Sequence, residues 1–171
     1  MTEQAETAII LALGTNLGER LQNLKEALQK LSANIKIDGC SRVYETPPWG
    51  YLDQPAFLNQ VVTGRTSLLP QQLLSFVKQV ESNMGRVKNF RNGPRLIDID
   101  ILVFGDQILA LDDLVIPHPR MLERAFVLVP LAELEPDLVI PGQKLSVIEF
   151  LQKVDTGNIE YVAENTTTDL P

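Results

Sequence analysis

The sequence predicts an α/β chain of the mixed α+β kind, and three observations carry that reading. Two stretches, one from Leu17 and one from Pro70, repeat apolar residues at helical spacing. Four others, starting near Thr7, Ile35, Phe57 and Ile97, are apolar or alternating runs of strand length. The resulting order, β-α-β-β-α-β, is what a split βαβ arrangement of ferredoxin-like type produces, with a mainly antiparallel sheet.

Thr7 to Leu13 is a continuous apolar run, as expected of a strand covered on both faces. Gly14-Thr15-Asn16 ends it, and Asn16 with Glu19 three residues later fits a capping box for the helix carrying Leu17, Leu21, Leu24, Leu28 and Leu31. The Gly14–Gly18 turn lacks both GxGxxG and GK[ST], so it reads as a tight turn rather than a dinucleotide or P-loop site. Ile35 to Glu45 reads as one strand. Thr46-Pro47-Pro48-Trp49-Gly50 and Asp53-Gln54-Pro55 then form a stiff loop holding the only tryptophan, a suitable wall for a flat ligand.

Phe57 to Thr66 reads as the next strand, with Phe57, Asn59 and Val61 on one face, an aromatic beside an amide. Pro70 starts the second helix, whose stripe is Leu73, Leu74, Val77 and Val80; Glu81 lies in its last turn and Gly85 can end it. Beyond Phe104, Asp106–Leu111 reads as a hairpin or short strand, and Val115–Arg120 breaks regular structure. An apolar run begins at Phe126, Leu145–Val154 reads as a short helix, and the polar tail from Glu164 to Pro171 as loose.

Composition narrows the function classes. At 171 residues the chain fits one domain, 1–171, and 44% hydrophobic with 22% charged residues is ordinary for a globular protein. A net charge of −7 argues against nucleic acid or an anionic membrane as partner. The single cysteine, Cys40, excludes an internal disulfide, no Cys/His zinc pattern exists, and with His118 the only histidine Ser/His or Cys/His catalysis has no support. The acidic start MTEQAET and the short apolar run Ala8–Leu13 fit neither a signal nor a membrane span, so the expected setting is cytoplasmic.

The chemistry concentrates between Gly85 and Phe104, GRVKNFRNGPRLIDIDILVF. Arg86, Lys88, Arg91 and Arg95 form a basic loop without a carboxylate, ended by Gly93-Pro94. A strand in strict alternation follows, placing Asp98, Asp100, Leu102 and Phe104 on one face and Ile97, Ile99, Ile101 and Val103 on the other. Carboxylates at i and i+2 of a strand lie roughly 6–7 Å apart. Such a pair can hold one hard cation or two, and Mg²⁺ prefers one or two carboxylates with phosphate oxygens and water. With guanidinium groups beside them, the arrangement suits phosphoryl transfer. A solvated Asp face on an ordinary strand, a DxD nucleotide-sugar transferase and a non-catalytic ferredoxin-like binding module are the competing readings.

The pieces LGTNLG at 13–18, YETPPWG at 44–50, DQPAFLN at 53–59, GRVKNFRNGPRLIDIDIL at 85–102 and PHPRMLERAFVLVPL at 117–131 span nearly the whole chain. In that order they resemble the 6-hydroxymethyl-7,8-dihydropterin pyrophosphokinase family of folate biosynthesis. The resemblance implies a three-layer fold on the ferredoxin-like core. It also implies transfer of pyrophosphate from ATP to the pterin's hydroxymethyl oxygen with release of AMP, by a monomer. By position, Asp98 and Asp100 would hold two Mg²⁺ ions, and Arg86 and Arg95 would join them in catalysis. The pterin would stack between Phe57 and Phe126 and be read by Thr46, Asn59 and the backbone at Pro47 and Trp49. Glu81, Lys88, Arg91, Ile101, His118 and Arg124 would surround ATP. Lys88 stands where family members often have Arg, and Asn92 where an aromatic is common. The loops 46–55 and 85–95, bounded by Gly and Pro, are suited to closing over substrate.

Overall fold

The computed structural model describes residues 5–87 and 90–163. Lys88, expected at the nucleotide, and the tail 164–171 lie outside the described residues. The strands are β1 (Thr7–Thr15), β2 (Lys36–Cys40), β3 (Val43–Thr46), β4 (Phe57–Thr66), β5 (Asp98–Phe104), β6 (Leu109–Ala110), β7 (Val115–Ile116) and β8 (Glu160–Ala163). The helices are α1 (Arg20–Leu31), α2 (Pro70–Asn83), α3 (Ala125–Leu134) and α4 (Val147–Leu151), with one 3₁₀ turn at Met121–Glu123.

The main sheet runs β5-β1-β4-β3-β8, with β2 also paired to β4, and every pairing in it is antiparallel. Taking β2 and β3 as one edge, β5-β1-β4-β3 is the ferredoxin-like strand order expected from the element sequence. Period-two alternation along β1 sends Ile9, Leu11 and Leu13 into one core, with Leu24, Leu28 and Leu31 of α1 and Leu73, Val77 and Val80 of α2. Ile10 joins the opposite core with Val61, Leu102 and Val103, and with Val127, Leu128 and Leu131 of α3. Helix pairs therefore cover both faces, giving three layers, and each fully buried Leu or Ile contributes about 1.5–3 kcal/mol.

Three sequence expectations are corrected. The stretch Ile35–Glu45 is two strands, because buried Ser41 leaves the ladder: its hydroxyl accepts from the Val61 N–H at 2.9 Å. Helix α1 starts at Arg20 with no side-chain cap, and Asn16 is turned away into long-range bonds described below. Leu17 and Leu21, expected on the buried stripe, are 37% and 40% exposed.

The third correction concerns β5. Ile10 pairs with Val103 and Leu11 with Ile101, so Leu102 is an extra residue, a bulge that resets the alternation. Val103 thus joins the face of Asp98 and Asp100, while Phe104 packs with Ile99 and Ile101. The Leu102 carbonyl accepts the backbone N–H of His118 at 2.9 Å, tying the 117–120 segment to the strand. Two elements lie beyond those expectations: the apolar run from Phe126 is the buried helix α3 despite Pro130 inside it, and Glu160–Ala163 is the edge strand β8.

Candidate active site

Antiparallel register sets the floor of a cavity. Gly14 of β1 lies between Asn59 of β4 and Asp98 of β5, and Ala12 lies beside Asp100. Two small residues in β1 therefore leave space over the sheet between the two aspartates and Asn59. The cavity walls are Thr46 at the end of β3, Pro47 and Trp49 from the loop after it, Phe57 at the start of β4, and Arg124 and Phe126 at the start of α3. Arg95 and Asn92 complete its rim. Asn59 donates its amide N–H to Thr46 Oγ1 at 2.8 Å, which leaves its Oδ1 as an acceptor.

An adjoining cleft is lined by Glu81, Arg86, Arg91, Asn92 and Arg95. Arg86 Nη1 donates to Glu81 Oε2 at 2.6 Å and to Asp98 Oδ1 at 3.1 Å, and Arg95 Nη1 donates to Asp98 Oδ2 at 2.7 Å. Both Asp98 oxygens are thus held by guanidinium groups. Glu81 is buried, and its second oxygen accepts the Ile99 N–H at 2.8 Å, so this carboxylate joins α2 to β5 and stands behind Arg86. Burial raises its pKa, opposed by that N–H and by Arg86.

Asp100 differs from its neighbour. Desolvation in the cavity floor, reinforced by the charge of Asp98 and opposed by Arg124, pushes its carboxyl up to about 7. Two carboxylates thus share one face, Asp98 gripped by two guanidinium groups and Asp100 raised chiefly by desolvation. Among the described residues no group of three His, Cys, Asp or Glu surrounds a metal position. A two-carboxylate set completed by phosphate and water fits Mg²⁺ and does not fit zinc.

His118 is shifted down by burial and then by the charge of Arg124, so it is neutral at pH 7. Its Nδ1 accepts the Arg120 backbone N–H at 3.2 Å, which assigns the ring proton to Nε2. Ile101 is 5% exposed, with its side chain in the core beneath α1 and α2, so only its backbone is left to face a nucleotide.

Sequence reasoning missed the residues that join the loops. Asn16, 1% exposed, donates through Nδ2 to Gln54 Oε1 at 2.9 Å and to the Pro55 carbonyl at 3.0 Å. Gln54 in turn donates to the Asn92 carbonyl at 2.7 Å, and Tyr51 meets Phe90 edge-on at 4.9 Å. Asn92 adopts φ 59°, a left-handed conformation that asparagine tolerates, and its side chain lies against Gly50, where a Cβ would come within 2.5 Å. Across the cavity rim, the Arg120 guanidinium carbon sits 5.0 Å from the centroid of the Trp49 ring.

A family model for 7,8-dihydro-6-hydroxymethylpterin-pyrophosphokinase (HPPK) matches residues 10–136. The chain belongs to the HPPK family. It is 45% identical over 158 residues to the 2-amino-4-hydroxy-6-hydroxymethyldihydropteridine pyrophosphokinase of Methylorubrum extorquens, covering 91% of this chain and 99% of that one. It is 43% identical over 156 residues to the folic acid synthesis protein fol1 of Pneumocystis carinii, covering 91% of this chain but only 21% of that longer protein. Among solved structures, an HPPK-DHPS chain of Plasmodium falciparum, crystallised with pterin and p-hydrobenzoate, shares the fold. Its TM-score is 0.72 at 18% identity, over 90% of this chain and 45% of that one. HPPK chains thus occur both at this length and as parts of proteins several times longer.

Proposed function

We propose that this chain transfers the pyrophosphoryl group of ATP to the hydroxymethyl oxygen of 6-hydroxymethyl-7,8-dihydropterin and releases AMP, acting as one catalytic domain. The observation that carries the reading is one juxtaposition: an aromatic-walled cavity lined by Asp98 and Asp100 adjoins the arginine-lined cleft, with Asn92 and Arg95 lining both. Phe57 and Phe126 offer rings to a flat heterocycle, and the Asn59 Oδ1 accepts a hydrogen bond from its edge. Arg86, Arg95 and Arg124 would neutralise the phosphate oxygens, with Arg91 lining the cleft toward the nucleotide.

In this reading the pterin hydroxyl forms a new bond to the β-phosphorus of ATP, the bond from that phosphorus to the α–β bridging oxygen breaks, and the hydroxyl proton is lost. Two Mg²⁺ ions held by Asp98 and Asp100 would supply charge neutralisation on the triphosphate and lower the pKa of the attacking hydroxyl. The protein groups contribute by holding the two substrates in line, where positioning and electrostatics carry most of phosphoryl-transfer catalysis. His118, as the Nε2–H tautomer, is suited to donating to a phosphate oxygen.

Among the described residues no helix is long and apolar enough to cross a membrane. We propose that the protein works as a cytoplasmic monomer. The deciding experiment is an assay of AMP release from ATP and 6-hydroxymethyl-7,8-dihydropterin with and without EDTA. Pterin-dependent, EDTA-sensitive AMP is the expected result. ADP as product would mean attack at the γ-phosphorus, and absence of any nucleotide product from folded protein would favour a binding module.

A further inference from the structure

Arg120 is a cation that the proposed reaction leaves without a task. Its backbone is fixed: its N–H donates to His118 Nδ1 at 3.2 Å, its carbonyl accepts the Glu123 N–H at 3.2 Å, and the next residue, Met121, is buried in the core. Trp49, by contrast, rides on the long segment between β3 and β4 and is 54% exposed, with the left-handed Gly50 beside it. The guanidinium lies 5.0 Å from the indole centroid, within the range of a cation–π contact. Among the described residues no carboxylate ion pair engages Arg120. A core-anchored cation therefore meets a loop-borne aromatic at the rim of the cavity.

We propose that Arg120 is a positioning residue: its guanidinium holds the Trp49 indole in place as a wall of the cavity and so sets how tightly the flat heterocycle is taken up. This rests on the cavity being the pterin site. A partly exposed cation–π contact changes an equilibrium by roughly two- to five-fold, so the effect belongs in substrate affinity rather than in the chemical step. Lysine keeps the charge but loses the planar face-on stacking of guanidinium, so Arg120→Lys should fall between wild type and Arg120→Ala.

Trp49 is the only tryptophan, so its emission reports this contact without interference. In substrate-free protein, Arg120→Ala should make Trp49 measurably more accessible to acrylamide quenching and shorten its anisotropy decay, with Arg120→Lys in between. The Kd for 6-hydroxymethylpterin, by calorimetry, should rise about three-fold in the alanine variant, KM for the pterin should rise in parallel, and kcat and KM for ATP should stay within about two-fold. Unchanged quenching in Arg120→Ala would overturn the contact. Altered quenching with unchanged pterin affinity would overturn the wall role, and a shift confined to KM for ATP would make Arg120 a nucleotide ligand instead. Wild-type protein that neither binds nor converts the pterin would sink the proposed function and the wall role together, and the substrate-free quenching data would show whether the Arg120–Trp49 contact itself still stands.

Discussion

Asn16 and Arg95 form a two-bond clamp across 79 positions of sequence: the Arg95 backbone N–H donates to Asn16 Oδ1 at 2.7 Å, and the Asn16 N–H donates to the Arg95 carbonyl at 3.0 Å. The same Asn16 amide holds Gln54 and Pro55 through Nδ2. One buried side chain therefore fixes the backbone of the arginine that grips Asp98 and the end of the loop that carries Pro47 and Trp49.

Replacing Asn16 by Ala should lower kcat/KM by at least ten-fold and destabilise the fold by about 1–3 kcal/mol, the cost of leaving buried polar partners unsatisfied. Asn16→Asp keeps an acceptor for the Arg95 N–H but puts an oxygen against Gln54 Oε1 and the Pro55 carbonyl. It should therefore damage pterin KM more than kcat. Steady-state kinetics and thermal unfolding of both variants check this, and near-wild-type values would remove Asn16 from the positioning network.

Asp98→Ala and Asp100→Ala should each cut turnover by orders of magnitude with the fold intact. Circular dichroism and the AMP assay together test this, and near-normal turnover in either variant would refute the metal assignment.

The pairing of Asp98 with Arg86 and Arg95 makes a prediction of opposite signs. Those guanidinium groups occupy the oxygens that a metal would use. Arg95→Ala should therefore tighten the binding of Mn²⁺ alone, read by calorimetry, by a few fold. The same change should slow turnover, by about 10²–10³-fold if Arg95 stabilises charge in the transition state as a lost electrostatic donor does. A change confined to ATP affinity would indicate uniform binding instead.

Asp100 gives a pH dependence whose sign is fixed. Its folded-state pKa, about 7, lies above the ordinary 3.8, so its contribution to stability is complete below pH 4 and is lost as pH rises through 7. Without metal, Asp100→Asn should raise Tm at pH 8 by about 2–4 °C, the shift that ~1 kcal/mol produces in a chain of this size, and should change it little at pH 4. Metal must displace the Asp100 proton at low pH, so Mn²⁺ affinity should fall as pH drops below 7 and level off above it. A flat profile between pH 6 and 8 would contradict the assignment.

Much of the site was readable because strand alternation is a strong local rule. Asp98 and Asp100 share a face, as do Phe57 and Asn59, and neutral backbone register then places them in one cavity. What escaped has physical reasons. A cap and a long-range clamp use the same asparagine amide, so Asn16 before a helix is ambiguous until its partners are known. Helix α3 is apolar around much of its circumference and contains Pro130, so it shows neither an amphipathic stripe nor an uninterrupted helical run. Strand β8 is a four-residue edge, too short to show an alternation of its own. The Leu102 bulge has no sequence mark at all, since it arises from how β5 meets β1.

That bulge acts as a phase shifter along a single strand. On one side of it the alternation answers to chemistry, presenting Asp98 and Asp100 to the cavity; on the other it answers to packing, turning Phe104 into the helix layer. The two halves can therefore vary under separate constraints. Deleting Leu102 would restore a uniform alternation with Val103 and Phe104 still on their present faces, and its cost would fall on the side chain lost from the α3 core and on the carbonyl that holds His118.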